Sequence, residues 1–123
     1  MTKLNDKLNS FKKKHTLEAR QAESAKIIIK YEGRIPVIVT KDSKCKLDDM
    51  TRNKFLAPGD LTLGQFMYVI RKRIKLKETE SIFMFVNDTV LAPTSHTMNT
   101  LYENYKDEDG FLYLVYCNEN VFG

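Results

Sequence analysis

The chain has no tryptophan, and its 123 residues include only two cysteines, three prolines, five glycines and two histidines. Each shortage removes a class of chemistry. Cys45 and Cys117 lie far apart in different settings, and His15 and His96 add no ligand spacing to them, so neither a metal site nor a redox pair is expected. Two widely separated thiols in a small chain favour the reducing cytosol or nucleus. Cys45 has no general-base partner in view and reads as an exposed loop thiol, and Cys117 as strand packing. Gly59 and Gly64 stand alone, which excludes a phosphate-cradling loop. Ser95 and His96 adjoin without an acid partner or a nucleophile elbow, and adjacency is not the geometry a triad needs. Asp107-Glu-Asp109 lacks calcium-loop spacing and reads as a turn. No apolar run is long enough to span a bilayer. Polar residues from Met1 to Phe11 occupy the place where a signal peptide needs an apolar core, so secretion is not expected. The chain is not expected to be an enzyme or to hold a metal.

What remains is ordinary globular material. A hydrophobic fraction of 42% beside 29% charged residues suits one soluble domain with a single core. The net charge of +4 comes from 20 basic and 16 acidic residues, and it is unevenly placed. The first thirty residues hold Lys3, Lys7, Lys12, Lys13, Lys14, Arg20, Lys26 and Lys30 against Asp6, Glu18 and Glu23. A second basic cluster is Arg71-Lys-Arg73 with Lys75 and Lys77, and the acidic block at Asp107–Asp109 comes later. Such patches can attract an acidic polymer, an anionic membrane or an acidic peptide, although a charge run is more often a solvated face. Without a recognisable binding motif, nucleic acid is not an expected partner.

Periodicity supplies the elements. Leu4, Leu8 and Phe11 predict a short first helix. Thr16 caps a second helix running to about Tyr31, with Ala22, Ala25 and Ile29 as its apolar stripe and Glu23 and Ile27 on another side. Gly33 stops it, and Arg34–Thr40 has the β-branched density of a strand, with Pro36 placed where no neighbour needs a donor. Lys41–Arg52 reads as a connection. Asn53–Ala57 is a short strand closed by Pro58-Gly59. Its lysine and terminal proline mark a sheet edge, which offers backbone groups to a partner peptide. Thr62-Leu-Gly-Gln65 is a capping box, with Leu61 and Phe66 placed as a hydrophobic staple. The helix it starts carries Leu63, Phe66, Met67, Ile70 and Ile74 on one side, and their burial is worth ~10 kcal/mol at about 2 kcal/mol each. Ile82–Val86 is a strand ending at an Asn87-Asp88 turn, and Met98, Leu101, Tyr102 and Tyr105 mark a short helix. Phe111–Cys117 is a buried terminal strand, followed by the polar run Asn118–Gly123. Strands gathered around one amphipathic helix imply a two-layer α+β domain, with strand order left open.

From about Phe11 to Gly123 the chain resembles the ubiquitin-like autophagy modifiers, the family of GABA-receptor-associated protein and microtubule-associated-protein light chain 3. The stretches that carry the resemblance are Tyr31-Glu-Gly-Arg-Ile-Pro-Val-Ile-Val39, Lys54-Phe-Leu-Ala-Pro58, Asp60–Phe66, Val69–Ile74, Phe85-Val-Asn-Asp88, Leu101-Tyr102, Asp109–Tyr113 and Phe122-Gly123, in order and at family spacing. The resemblance implies a ubiquitin-like β-grasp with two additional N-terminal helices. It divides the chain into a helical arm and second helix over 1–31, a core over 32–117 and a flexible conjugation tail over 118–123.

It also implies a function in which the protein is substrate and not catalyst. Activating and conjugating enzymes would pass Gly123 through thioesters to the amine of phosphatidylethanolamine, and a cysteine protease would reverse the step. No cofactor other than that covalent lipid is implied. The soluble form would be cytoplasmic and monomeric, and the lipidated form would sit on the autophagosome or a related vesicle membrane. Cargo receptors and autophagy adaptors with aromatic-x-x-aliphatic motifs would add a strand to the edge. By position, Glu23, Ile27, Pro36, Lys54, Leu56 and Phe111 would line the aromatic pocket, and Phe55, Ala57, Pro58, Leu61, Phe66 and Val69 the aliphatic one. Arg34, Arg52 and Arg73 would meet the acidic residues in front of the motif. Ala57 stands where a larger aliphatic residue is usual, and Thr16 and Glu32 where prolines are. The alternative on the same fold is a non-conjugated ubiquitin-like adaptor or cytoskeleton-binding domain.

Overall fold

The computed structural model describes residues 11–48, 50, 52–87 and 90–118. The first-helix residues Leu4 and Leu8, and the terminal Gly123, lie outside the described residues. Residues 11–14 are helical, and Thr16 then caps helix α1, Leu17–Lys30, its side chain accepting from the Ala19 N–H at 3.1 Å. Strand β1, Arg34–Lys41, leads through an irregular connection to strand β2, Lys54–Pro58. Helix α2, Leu63–Arg73, opens on the anticipated capping box: Gln65 N–H donates to Thr62 Oγ1 at 3.2 Å, and Thr62 N–H donates to Gln65 Oε1 at 2.9 Å. Strand β3, Phe83–Val86, the two-residue strand β4, Val90–Leu91, helix α3, Met98–Tyr105, and strand β5, Leu112–Cys117, complete the order. The short β4 carries no sequence signal long enough to have been anticipated.

The five strands form one mixed sheet in the order β2-β1-β5-β3-β4. β1 and β5 pair in parallel at its centre, with Val37 opposite Leu112, and the remaining pairs are antiparallel. All six residues of β5 are buried because both faces of the sheet are covered. One face packs against Leu63, Phe66 and Ile70 of α2 and Met98 and Leu101 of α3. On the other, Ile38, Phe111, Tyr113 and Val115 lie beneath Phe11 and Ile27. This is the α+β β-grasp arrangement expected from the sequence. Pro36 finds the place the sequence demanded. Bonds from Gly59 N–H to Gly33 O and from Val39 N–H to Asn53 O direct the odd-numbered residues of β1 toward β2, and pairing with β5 begins only at Val37. No neighbour needs a donor from Pro36.

Two expectations are corrected. The covered side of α1 is not Ala22–Ala25–Ile29, for those residues are exposed, Ile29 to 82%. The helix instead buries Arg20 and Ser24, with Ile27 against the sheet. Cys45 is buried, 6% exposed, because the irregular 42–53 connection folds Cys45 and Leu47 into the core. The acidic block forms the expected turn, and Asp109 within it is 0% exposed and receives the Arg20 guanidinium at 2.6 Å, the Tyr113 hydroxyl, and the Phe111 N–H at 2.8 Å.

That cluster fastens α1 to the sheet. Ser24 Oγ donates to Asp109 O, Tyr102 Oη donates to Gly110 O at 2.7 Å, and Lys12 pairs with Asp107 at 2.6 Å. Gly110 has φ +88°, and a Cβ there would collide with Ser24 Oγ, so the tight turn and the close approach both require glycine. Arg20→Ala would leave the Asp109 carboxylate buried without its cation, and is expected to lower unfolding free energy by about 3–5 kcal/mol in urea titrations. Loss of the α2 cap in Thr62→Ala is expected to cost only about 1 kcal/mol.

Burial and the hydrogen bond to Asp109 hold the Tyr113 phenol neutral well above the usual tyrosine range. A raised folded-state value means that the folded protein keeps this proton where the unfolded chain loses it. Stability is therefore intact below about pH 10 and falls as pH rises beyond it. In an alkaline absorbance titration a late tyrosine phase should accompany unfolding, and Tyr113→Phe should diminish it, leaving the share of Tyr102, whose phenol burial also pushes up.

Candidate functional site: the outer edge of strand β2

β2 is one of the two outer strands of the sheet, and its side chains alternate between the two faces. Lys54 and Leu56 stand opposite Ile38 and Pro36, on the face covered by α1. Phe55 and Ala57 point the other way, into the core under α2. The period of two thus deals the residues of one short strand to two sides of the edge.

On the α1 side, Lys54 forms an ion pair with Glu23, and its ammonium lies 5.3 Å from the centre of the Phe11 ring. Both partners are about two-fifths exposed or a little less, so the pair orients the lysine more than it stabilises the fold. Ile27 is half-buried beside Phe111, while Phe111 itself is fully covered, with Phe11 packed edge-on at 5.5 Å. Pro36 is also buried, and Leu56 is half-buried. A cleft of about 600 Å³ continues from this point along the sheet, lined by Phe11, His15, Ile38, Thr40, Arg52 and Lys54 among others.

On the α2 side, Phe55 meets Phe66 edge-on at 5.8 Å, and both are buried, as is Ala57. Leu61 packs against the same core, Pro58 is half-buried, and Val69 is 39% exposed on α2. The structure therefore gathers the two anticipated sets on either side of β2. Within them Phe55, Ala57, Phe66 and Phe111 are core residues, and Lys54, Leu56, Pro58 and Val69 offer surface.

The three arginines differ in what they touch. Arg73 lies with its guanidinium 5.7 Å from the Phe55 ring centre. Arg34 Nη1 donates to Leu56 O at 3.2 Å, and Arg52 Nε donates to Lys54 O at 3.1 Å. Because the odd-numbered residues of β2 bond to β1, the carbonyls of Lys54 and Leu56 point outward along the open edge. Sequence reasoning placed Arg34 and Arg52 at the site and did not foresee these bonds. Nothing in residue spacing signals that Arg34 reaches a carbonyl across the strand pair, or that Arg52 turns onto one two residues further along the chain. Phe11 was likewise missed as a partner of Lys54, because the two are 43 positions apart in the sequence.

The fold has close counterparts. Residues 19–123 match the family described as autophagy protein Atg8, ubiquitin-like. The chain is 54% identical over 116 residues to autophagy-related protein 8d of Arabidopsis thaliana, covering 94% of this chain and 96% of that one. It is 51% identical over 115 residues to autophagy-related protein 8 of Kluyveromyces lactis, covering 94% and 92%. The crystal structure of ATG8 from Trypanosoma brucei superposes with a TM-score of 0.84 at 43% identity, covering 92% of this chain and 97% of that one. The chain belongs to the Atg8 family of ubiquitin-like autophagy proteins.

Proposed function

We propose that this autophagy protein is conjugated through Gly123 to phosphatidylethanolamine and recruits partners by adding their aromatic-x-x-aliphatic motifs to β2. The observation that carries the reading is the outer position of β2 with its side chains divided between two faces. An extended peptide paired with such a strand also alternates, so residues three apart in the motif can reach opposite flanks of the edge. The aromatic anchor goes to the side of Glu23, Ile27, Lys54 and Leu56, and the aliphatic anchor to the side of Pro58, Leu61 and Val69. Lys54, held by Glu23, supplies a cation at the mouth of the first pocket.

Conjugation supplies the membrane attachment. No helix among the described residues is long and apolar enough to cross a bilayer. Two acyl chains, at about 0.8 kcal/mol per buried methylene, anchor stably where one chain is marginal. Glycine at the acyl position leaves no Cβ in the path of the activating and conjugating enzymes or of the deconjugating protease. The unconjugated form is cytoplasmic, and the conjugated form resides on autophagosomal or related vesicle membranes.

Two measurements test the proposal. Membrane flotation should recover the wild-type chain with vesicles and leave Gly123→Ala in the soluble fractions; an equal membrane-bound fraction for both would replace conjugation with the non-conjugated adaptor reading. In calorimetric titration with a motif peptide, Lys54→Glu and Val69→Glu should each weaken binding by roughly tenfold or more, as a misplaced charge at an interface does. These surface positions are cleaner probes than Phe55, whose truncation would open the core at a cost of about 3–5 kcal/mol. Unchanged affinity in both variants would remove the site from this edge.

A further inference from the structure

The backbone of β2 shows how its edge is kept from pairing with the wrong strand. An outer strand presents a row of carbonyl and amide groups that template association, and proteins cover or charge such rows. Here the outward carbonyls of Lys54 and Leu56 are each taken by an arginine, Arg52 Nε at 3.1 Å and Arg34 Nη1 at 3.2 Å. Both side chains are exposed, and the carbonyls they hold are those a strand added to this edge would use.

We propose that Arg34 and Arg52 are exchangeable caps that close the β2 edge in the free protein and make acidic residues beside the motif a condition of tight binding. The inference rests on strand addition at β2 as proposed above. An incoming peptide N–H and an arginine N–H compete for the same carbonyl oxygen. When the peptide takes it, the guanidinium loses its acceptor and must find another. A carboxylate on the peptide offers a stronger, charge-assisted acceptor suited to the planar fork of arginine. A peptide without acid displaces the caps and offers nothing in exchange. The same two residues therefore favour acidic ligands and penalise neutral ones, selecting both by attraction and by a built-in cost. Simple attraction of acid to a basic surface would leave neutral peptides indifferent to the arginines.

This difference in sign is the test. Two peptides sharing one aromatic-x-x-aliphatic core, one preceded by three glutamates and the other by three glutamines, are titrated into the wild-type chain and into Arg34→Ala/Arg52→Ala. Both positions are exposed, and equal thermal midpoints would verify that the variant folds. The acidic peptide should bind the variant roughly tenfold more weakly, while the neutral peptide should bind it roughly two- to fivefold more tightly, the scale of relieving modest hydrogen bonds. The uncapped variant should also self-associate more readily in sedimentation at high concentration. A neutral peptide that binds the variant unchanged or more weakly would overturn the capping role while leaving the groove intact. Failure of the wild-type chain to bind either peptide would remove the groove itself, and the inference with it.

Discussion

The ion pair of Arg20 with Asp109 is the constraint on which the rest of the site depends. Asp109 sits in the tight turn before β5, fully enclosed, and its carboxylate collects a guanidinium, a phenol and a backbone N–H. Burying such a charge is costly unless every acceptor position is filled, and here each bond comes from an element that must be in place first. Arg20 comes from α1, Tyr113 from β5 and the Phe111 N–H from the turn. The cluster therefore specifies one seating of α1, which an apolar helix face alone could achieve in several registers. Ser24 and Gly110 make the same seating sterically tight.

That seating shapes the α1 side of the β2 edge. With α1 fixed across one face of the sheet, Glu23 stands beside Lys54 and Ile27 beside Phe111, so half of the groove belongs to a helix remote in sequence from the strand it flanks. α2 performs the equivalent task on the other face, where its capping box sets the helix start that turns Phe66 against Phe55. The buried residues under β2 form the floor of the proposed groove, and the half-buried and exposed ones form its surface. Charge is arranged in the same way: Lys54 is held by an acid, while Arg34 and Arg52 are parked on the strand's own carbonyls.

Features governed by neighbours in the chain were legible in the sequence. The cap at Thr16, the capping box at Thr62, the buried terminal strand and the edge character of Lys54–Pro58 all follow from local propensity and periodicity. The position of Pro36 was legible too, because a missing donor restricts any strand that contains it. The family resemblance, carried by motifs spread from Tyr31 to Gly123, supplied the topology that periodicity left open.

Tertiary structure decided what depends on partners distant in the chain. The sequence of α1 offers an alanine and isoleucine stripe as the side to bury, yet Arg20 and Ser24 are the buried pair, because Asp109 lies 89 positions away and only the parallel pairing of β1 with β5 brings it beneath the helix. Cys45 reads as a loop thiol until the connection after β1 folds back onto the core. The capping of the β2 carbonyls is likewise invisible in one dimension, since it depends on which way each carbonyl points once β1 and β2 are in register. Local chemistry determined the elements of this protein and the edge it presents. Packing across the chain decided which faces were hidden, because a buried charge is stable only where the fold delivers every partner at once.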